Sequence, residues 1–156
     1  MSGRLKDEIK QRKPFASKEV EAVLNIVRTA DGLSRKGAEL LKAGGLSGTQ
    51  YNVLRILRGA GSDGCACREI GERMVTHDPD ITRLLDRMER NGWVTRARDG
   101  QDRRVVSVRI TKEGLKLAEE FEAPLLALHK QVMRGLNAKD LEQLIELLEK
   151  VRANCA

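Results

Sequence analysis

Apolar positions recur at helical spacing along most of the chain and switch to alternation once, between residues 93 and 110. Val20, Val23, Leu24, Val27 and Ala30 predict a long first helix with Ser17 as its N-cap. Leu33, Leu40 and Leu41 extend it; Gly32 weakens its middle and Gly44-Gly45 end it. Residues 1–16, alternately basic and acidic up to Pro14-Phe15, are expected to form a frayed arm. Ser47-Gly48-Thr49-Gln50 fits a capping box and opens a second helix whose apolar side is Tyr51, Leu54 and Leu57. After the breaker at residues 59–64, a short helix is predicted from Arg68 to Met74, with Ile70 and Met74 inward. The next has Asp78 as cap and Pro79 at its first position, and runs to about Arg90. Ile81, Leu84, Leu85 and Met88 stand at i, i+3, i+4 and i+7, and Asp80, Thr82, Arg83, Asp86, Arg87 and Arg90 occupy the opposite face.

Asn91-Gly92 stops that helix, and residues 93–98 and 105–110 then predict two strands joined by the polar turn 99–104. Thr111 caps a following helix through Leu115, Ala118, Phe121, Leu125, Leu128 and Val132, which Pro124 should bend or disturb. Asn137 caps a last helix with Leu141, Leu144, Ile145, Leu148 and Val151 on one stripe. The fold class is mainly α with a small β-hairpin wing: a winged helix-turn-helix flanked by dimerisation helices. Three stretches make one domain: an arm and long helix over 1–45, the winged helix-turn-helix over 46–111, and carboxy-terminal helices over 112–156, the two outer stretches being those that a family resemblance assigns to intertwined dimerisation.

Charge sharpens this picture. The net charge is +6, and residues 83–109 hold eight arginines, no lysine and four acids, a local net of +4. A basic excess favours a polyanionic partner, and arginine makes forked contacts with phosphate and guanine. With Phe15, Tyr51, Trp93 and Phe121 as the whole aromatic complement, the sequence argues against a base-stacking surface for single strands. A helix with an apolar inner and a basic outer face enters a major groove about 12 Å wide, and a hairpin beside it reaches the minor groove. Neither a membrane-spanning run nor a secretory leader is recognisable, and an odd number of cysteines, Cys65, Cys67 and Cys155, fits a reducing cytoplasm.

Five stretches resemble motifs of the MarR family of transcriptional regulators. Leu46 to Leu54 is similar to its LTxxQxxVL segment, Ile81 to Glu89 to its VTRLLDRLE recognition helix, and Asn91-Gly92-Trp93-Val94 stands where the family has KGLV. Asp99 to Arg104 resembles the DxxDRR wing, and Ile110 to Gly114 resembles LTexG. The resemblance implies a homodimer on double-stranded DNA, its terminal helices interlocked and each subunit offering one winged helix to a half-site of a palindromic operator. Half-sites would lie roughly 34 Å apart. It implies that Thr82, Arg83 and Arg87 face the major groove: Thr82 at a base edge or thymine methyl, Arg83 or Arg87 forked to guanine. Asp80 departs from the small hydroxyl residue usual there; it favours the positive helix end or accepts from a cytosine amine. In the wing, Asp102 and Arg104 match a pair in which the aspartate holds an arginine that enters the minor groove, with Arg103 a second contact. Arg68, Arg96 and Arg98 are expected either at phosphates or on plain surface.

Cys65 is expected in a short strand and Cys67 at a helix N-cap, which would lower its pKa. The pair reads as a redox sensor or, on the blander view, as a buried small residue plus a makeshift cap. A metal site through Cys65, Cys67 and His77 lacks dense ligand spacing, and His129 reads as a helix-surface residue, so neither metal nor cofactor is expected. Many relatives release DNA on binding small aromatic or anionic compounds. The corresponding cleft would be lined by Arg28, Leu33 and Tyr51, although Tyr51 also suits the core. Neither a nucleophile-base pair nor a carboxylate dyad suggests an enzyme. The remaining alternative is a winged helix used as a protein-interaction module, for which loss of the basic outer face would be the sign.

Overall fold

The computed structural model of the chain describes residues 4–98, 100, 102 and 104–155. They fall into two compact units, one ending at Phe121 and the other beginning at Glu122.

In the first unit the amino-terminal arm contains a short helix, α1 (Leu5–Glu8), with Leu5 buried. This corrects the expected frayed arm: one leucine in an otherwise charged stretch is enough to seat it. α2 (Lys18–Leu41) begins at Ser17, whose Oγ accepts from the Val20 N–H at 3.3 Å. It passes through Gly32 unbroken; one interior glycine costs about 1 kcal/mol, less than a helix of this length gains. A 3-10 turn (Lys42–Gly44) and the left-handed Gly45 end it. α3 (Gly48–Ala60) carries the expected capping box, with Ser47 and Gln50 exchanging side-chain and backbone bonds at 3.2 and 2.9 Å.

β1 (Cys65–Ala66) leads into α4 (Cys67–Arg73), then α5 (Ile81–Arg90). β2 (Val94–Arg98) and β3 (Val106–Ile110) form the wing. The sheet is antiparallel in the order β1-β3-β2, with Cys65 opposite Val108, Arg96 opposite Val108 and Arg98 opposite Val106. The core beneath it is aliphatic: Val53, Leu54 and Leu57 of α3, Ile70 of α4, Leu84, Leu85 and Met88 of α5, and Val94 and Val108 of the sheet are all fully buried.

The exit from α5 and the entry to α6 (Lys112–Val132) meet at one point. Gly92, at φ +75°, ends α5 in a Schellman motif, its N–H donating to Glu89 O and the Trp93 N–H to Met88 O. Thr111 then stitches the hairpin's root. Its N–H donates to Trp93 O at 3.0 Å, its hydroxyl donates to Gly92 O at 2.6 Å, and that hydroxyl accepts the Gly114 N–H at 3.0 Å as the helix cap. A Cβ on Gly114 would collide with the Trp93 carbonyl and press on Ile110, so the crossing requires glycine.

Helix α6 continues across Pro124 unbroken and passes into the second unit. There α7 (Ala138–Arg152) starts from Asn137, which makes a capping box with Asp140 at 3.0 Å in both directions. α7 has no buried residue; Ile145, Leu147, Leu148 and Val151 are exposed.

Candidate nucleic-acid interface

α5 separates its two faces cleanly. Leu84, Leu85 and Met88 are at most 1% exposed, whereas Thr82, Arg83, Arg87 and Arg90 are exposed. The helix starts two residues later than expected. Asp80, not Asp78, is its N-cap: Oδ1 accepts the Arg83 N–H at 3.1 Å. Asp78 instead accepts the Asp80 N–H at 2.8 Å, a turn that delivers the chain to the cap with Pro79 inside it. Asp80 also meets the Arg83 guanidinium at 3.1 Å, a contact that points Arg83 along the start of the helix. Both side chains are largely in solvent, so the pair is weak and yields readily to a stronger acceptor.

The turn before α5 is anchored from behind by a residue that pattern reading passed over. Asn52, on α3, accepts the Val75 N–H through Oδ1 at 2.8 Å. Val75 itself is 86% exposed, so the anchor holds the backbone of the turn and leaves the side chain in solvent. An asparagine inside a helix, whose side chain competes for backbone groups, was the available signal.

The wing arginines divide into two kinds. Arg98 and Arg104 are exposed. Asp102 Oδ1 accepts the Arg104 backbone N–H at 2.9 Å, and Asp102 O accepts the Val105 N–H, so the aspartate shapes the turn from which Arg104 projects. Arg103, Asp99 and Gln101 lie outside the described residues. Arg96 is different. Its Nη2 bridges Asp86 and Glu89 of α5, and its Nε and backbone N–H also donate to Glu89, at 3.2 and 3.1 Å. Hydrogen bonding from Arg96 holds the Glu89 carboxyl below its ordinary range, and Glu89 in turn raises the Arg96 pKa. Arg68, on α4, makes an i,i+4 pair with Glu72 at 2.9 Å and stays exposed.

Cys65 is buried in β1, and Cys67 is the first residue of α4, with Ala66 as the cap. Burial pushes both thiols up rather than down; for Cys67 the nearby Arg96 only partly offsets it. The expected lowering at Cys67 fails because Ala66, not Cys67, takes the cap position and burial of the thiol outweighs the nearby Arg96. Arg28 lies 4.0 Å from Glu8, Leu33 is exposed on α2, and Tyr51 is buried in the core. A cavity of about 560 Å³ lies instead against Ala38, Glu39, Lys42, Leu46 and Gln50, where α2 hands over to α3. Among the described residues, no group of three or more His, Cys, Asp or Glu is disposed to hold a metal, and no helix is long and apolar enough to cross a membrane.

The MarR family profile matches residues 46–106, the span from the start of α3 to the start of β3. An HTH-type transcriptional regulator of Bacillus subtilis, YwoH, is 33% identical over 117 residues, covering 75% of this chain and 83% of its own. The crystal structure of a MarR transcription factor from Planctomyces limnophilus is 40% identical, covers 87% of this chain and 98% of that one, and superposes with a TM-score of 0.68. The chain belongs to the MarR family. A mutant MarR from E. coli, solved in complex with operator DNA, is 25% identical with a TM-score of 0.78, covering 89% of this MarR-family chain and 99% of its own. The winged-helix architecture read from the pattern of helices and hairpin is therefore the family's own, and the protein is a transcriptional regulator by membership.

Proposed function

We propose that this MarR-family regulator binds double-stranded DNA sequence-specifically as a homodimer, on a palindromic operator, and represses until a small-molecule or redox signal releases it. The observation that carries the reading is the outer face of α5. Thr82, Arg83 and Arg87 stand in solvent on a helix whose other side is locked into the core, beside a hairpin bearing Arg98 and Arg104. A helix so mounted presents its cations to a major groove without rearrangement, and the hairpin offers an arginine to the adjacent minor groove. The E. coli relative solved in complex with operator DNA supports DNA as the partner. Dimerisation is supported by the apolar residues left exposed on α2 and α7. The effector cleft expected at Arg28, Leu33 and Tyr51 loses Tyr51 to the core, so this reading places a small-molecule signal beside Arg28 and Leu33 on α2, with Cys65 and Cys67 as the redox candidates.

Selection of bound sequences from random duplexes tests it. The expected product is a palindrome with half-sites about one helical turn apart, roughly 34 Å. On that operator log K should fall steeply with log [salt]. Arg104→Ala should weaken binding to all sequences, and Arg83→Ala should flatten base preference at one position of each half-site by about 1–3 kcal/mol. Recovery of no consensus, with a shallow salt dependence, would sink the proposal.

A further inference from the structure

Arg96 stands in the middle of the wing's first strand, and the sequence leaves it either a phosphate contact or a plain surface residue. Its surroundings say otherwise. Its side chain is 22% exposed, against 82% for Arg83 and 91% for Arg68. Two carboxylates, Asp86 and Glu89, face one guanidinium, so the cluster is net negative and has no spare positive charge to offer a phosphate.

The geometry of Glu89 adds the decisive feature. One of its oxygens accepts the Arg96 backbone N–H, and the other accepts the same residue's Nε and Nη2. A side-chain pair alone follows the strand wherever it moves. A backbone N–H bonded to a helix carboxylate does not, because that bond breaks when the strand shifts. β2 is an edge strand in the order β1-β3-β2, so this amide would otherwise face solvent. Asp86 and Glu89, three apart on α5, are neighbours on one face and make two footholds for the guanidinium. Their spacing resists rotation of the strand about any single contact.

We propose that Arg96 is a positioning residue: with Asp86 and Glu89 it locks the wing to the recognition helix at a fixed angle, so that major-groove and minor-groove contacts are made together, and it does not itself touch DNA. The proposal rests on the reading of α5 and the wing as the DNA-binding surface.

The test compares Arg96→Gln, Arg96→Lys, Glu89→Gln and the double variant Asp86→Asn/Glu89→Gln with wild type and Arg104→Gln on the selected operator. A lost phosphate contact lowers the salt slope by about 0.9 per copy, about 1.8 per dimer. Arg104→Gln, taken as the groove contact, should show that loss. Arg96→Gln should lower affinity about tenfold with an unchanged slope, and Arg96→Lys, which cannot fork to both acids, should recover only part. The double variant is the sharpest arm. If Arg96 contacted DNA, removing two negative charges beside it would free it and raise affinity; the lock requires affinity to fall. Adding Arg96→Gln to the double variant should then cost little more, because the three act as a unit. Hydroxyl-radical footprints should lose the wing's minor-groove protection and keep that of the helix. A reduced slope in Arg96→Gln, or tighter binding by the double variant, overturns the proposal. Amide exchange of residues 94–98 in the free protein reads the lock without DNA: it should speed up in Arg96→Gln and Glu89→Gln, and unchanged exchange overturns the proposal as well. If wild type itself gives no footprint, the DNA-binding reading falls while the exchange result still decides the lock.

Discussion

Glu89 and Arg96 show how a charge can serve geometry, and their titration gives that role a signature in stability. The Glu89 carboxyl titrates below its ordinary value of 4.5 because Arg96 donates to it. A group whose folded pKa is depressed contributes stability that is fully present above the unfolded value and is lost as pH falls through the folded one. Glu89→Gln should therefore lower Tm at pH 7 by an amount that stays constant down to about pH 5.5. The gap to wild type should narrow below about pH 4.5 and close in stronger acid. Thermal scans between pH 7 and pH 3 check this; a gap that widened in acid would assign the stabilisation to another group. Asp86 was legible in the sequence on the outer face of α5, and Glu89 and Arg96 as charges of the same basic stretch. Their union was not, since a helix residue and a strand residue seven or ten positions on meet only once the turn between them is formed. Local pattern reads which side a residue is on, and tertiary pairing decides whether its charge is free. Thr82, Arg83 and Arg87 remain where periodicity put them, because their placement depends on α5 alone.

At the scale of elements, the boundaries of α5 show what sequence signals resolve and where they compete. Asp78-Pro79-Asp80 offers two aspartates as caps, and the proline favours the first. The structure uses the second: the helix opens at Ile81 and Pro79 stays in the turn that Asp78 closes. Lone strong caps such as Ser47, with Gln50 three residues on, and Asn137 were read without ambiguity. Asp80→Ala should cost about 1 kcal/mol, the ordinary loss of an N-cap, and Asp78→Ala less, by denaturant titration. Equal costs would mean that the turn and the cap act as one unit. At the other end, the knot of Gly92, Trp93, Thr111 and Gly114 fixes where the hairpin begins. The glycine was legible there as part of a motif, but its reason, the Trp93 carbonyl lying against its Cα, was not. Gly114→Ala should destabilise by about 1–3 kcal/mol, since backbone on both sides must shift to admit a methyl group. Full stability in this variant would show that the crossing opens more easily than its hydrogen bonds imply.

The molecule as a whole leaves apolar surface where a self-sufficient helix would be polar. On α2, Val20, Val23 and Val27 are 42, 55 and 60% exposed, and their spacing places them along one side of the helix. On α7, Ile145, Leu148 and Val151 do the same within the second unit. Stripes of this kind in terminal helices are what a second copy of the chain would cover, and the winged-helix core has no need of them. The proposed dimer makes the α2 stripe the more informative target, because Val23 and Val27 lie far along the chain from the basic face of α5 and support none of its contacts. Val23→Asp/Val27→Asp adds charge to exposed positions, so the winged-helix core should keep its helical signal. Sedimentation should give monomers where wild type gives dimers. On the operator the variant should lose the cooperative occupation of two half-sites, leaving the weak, salt-sensitive binding of one winged helix. A variant that still sedimented as a dimer would move the subunit contact away from α2. A monomeric variant that bound the full palindrome as tightly as wild type would mean that the two half-sites are read independently.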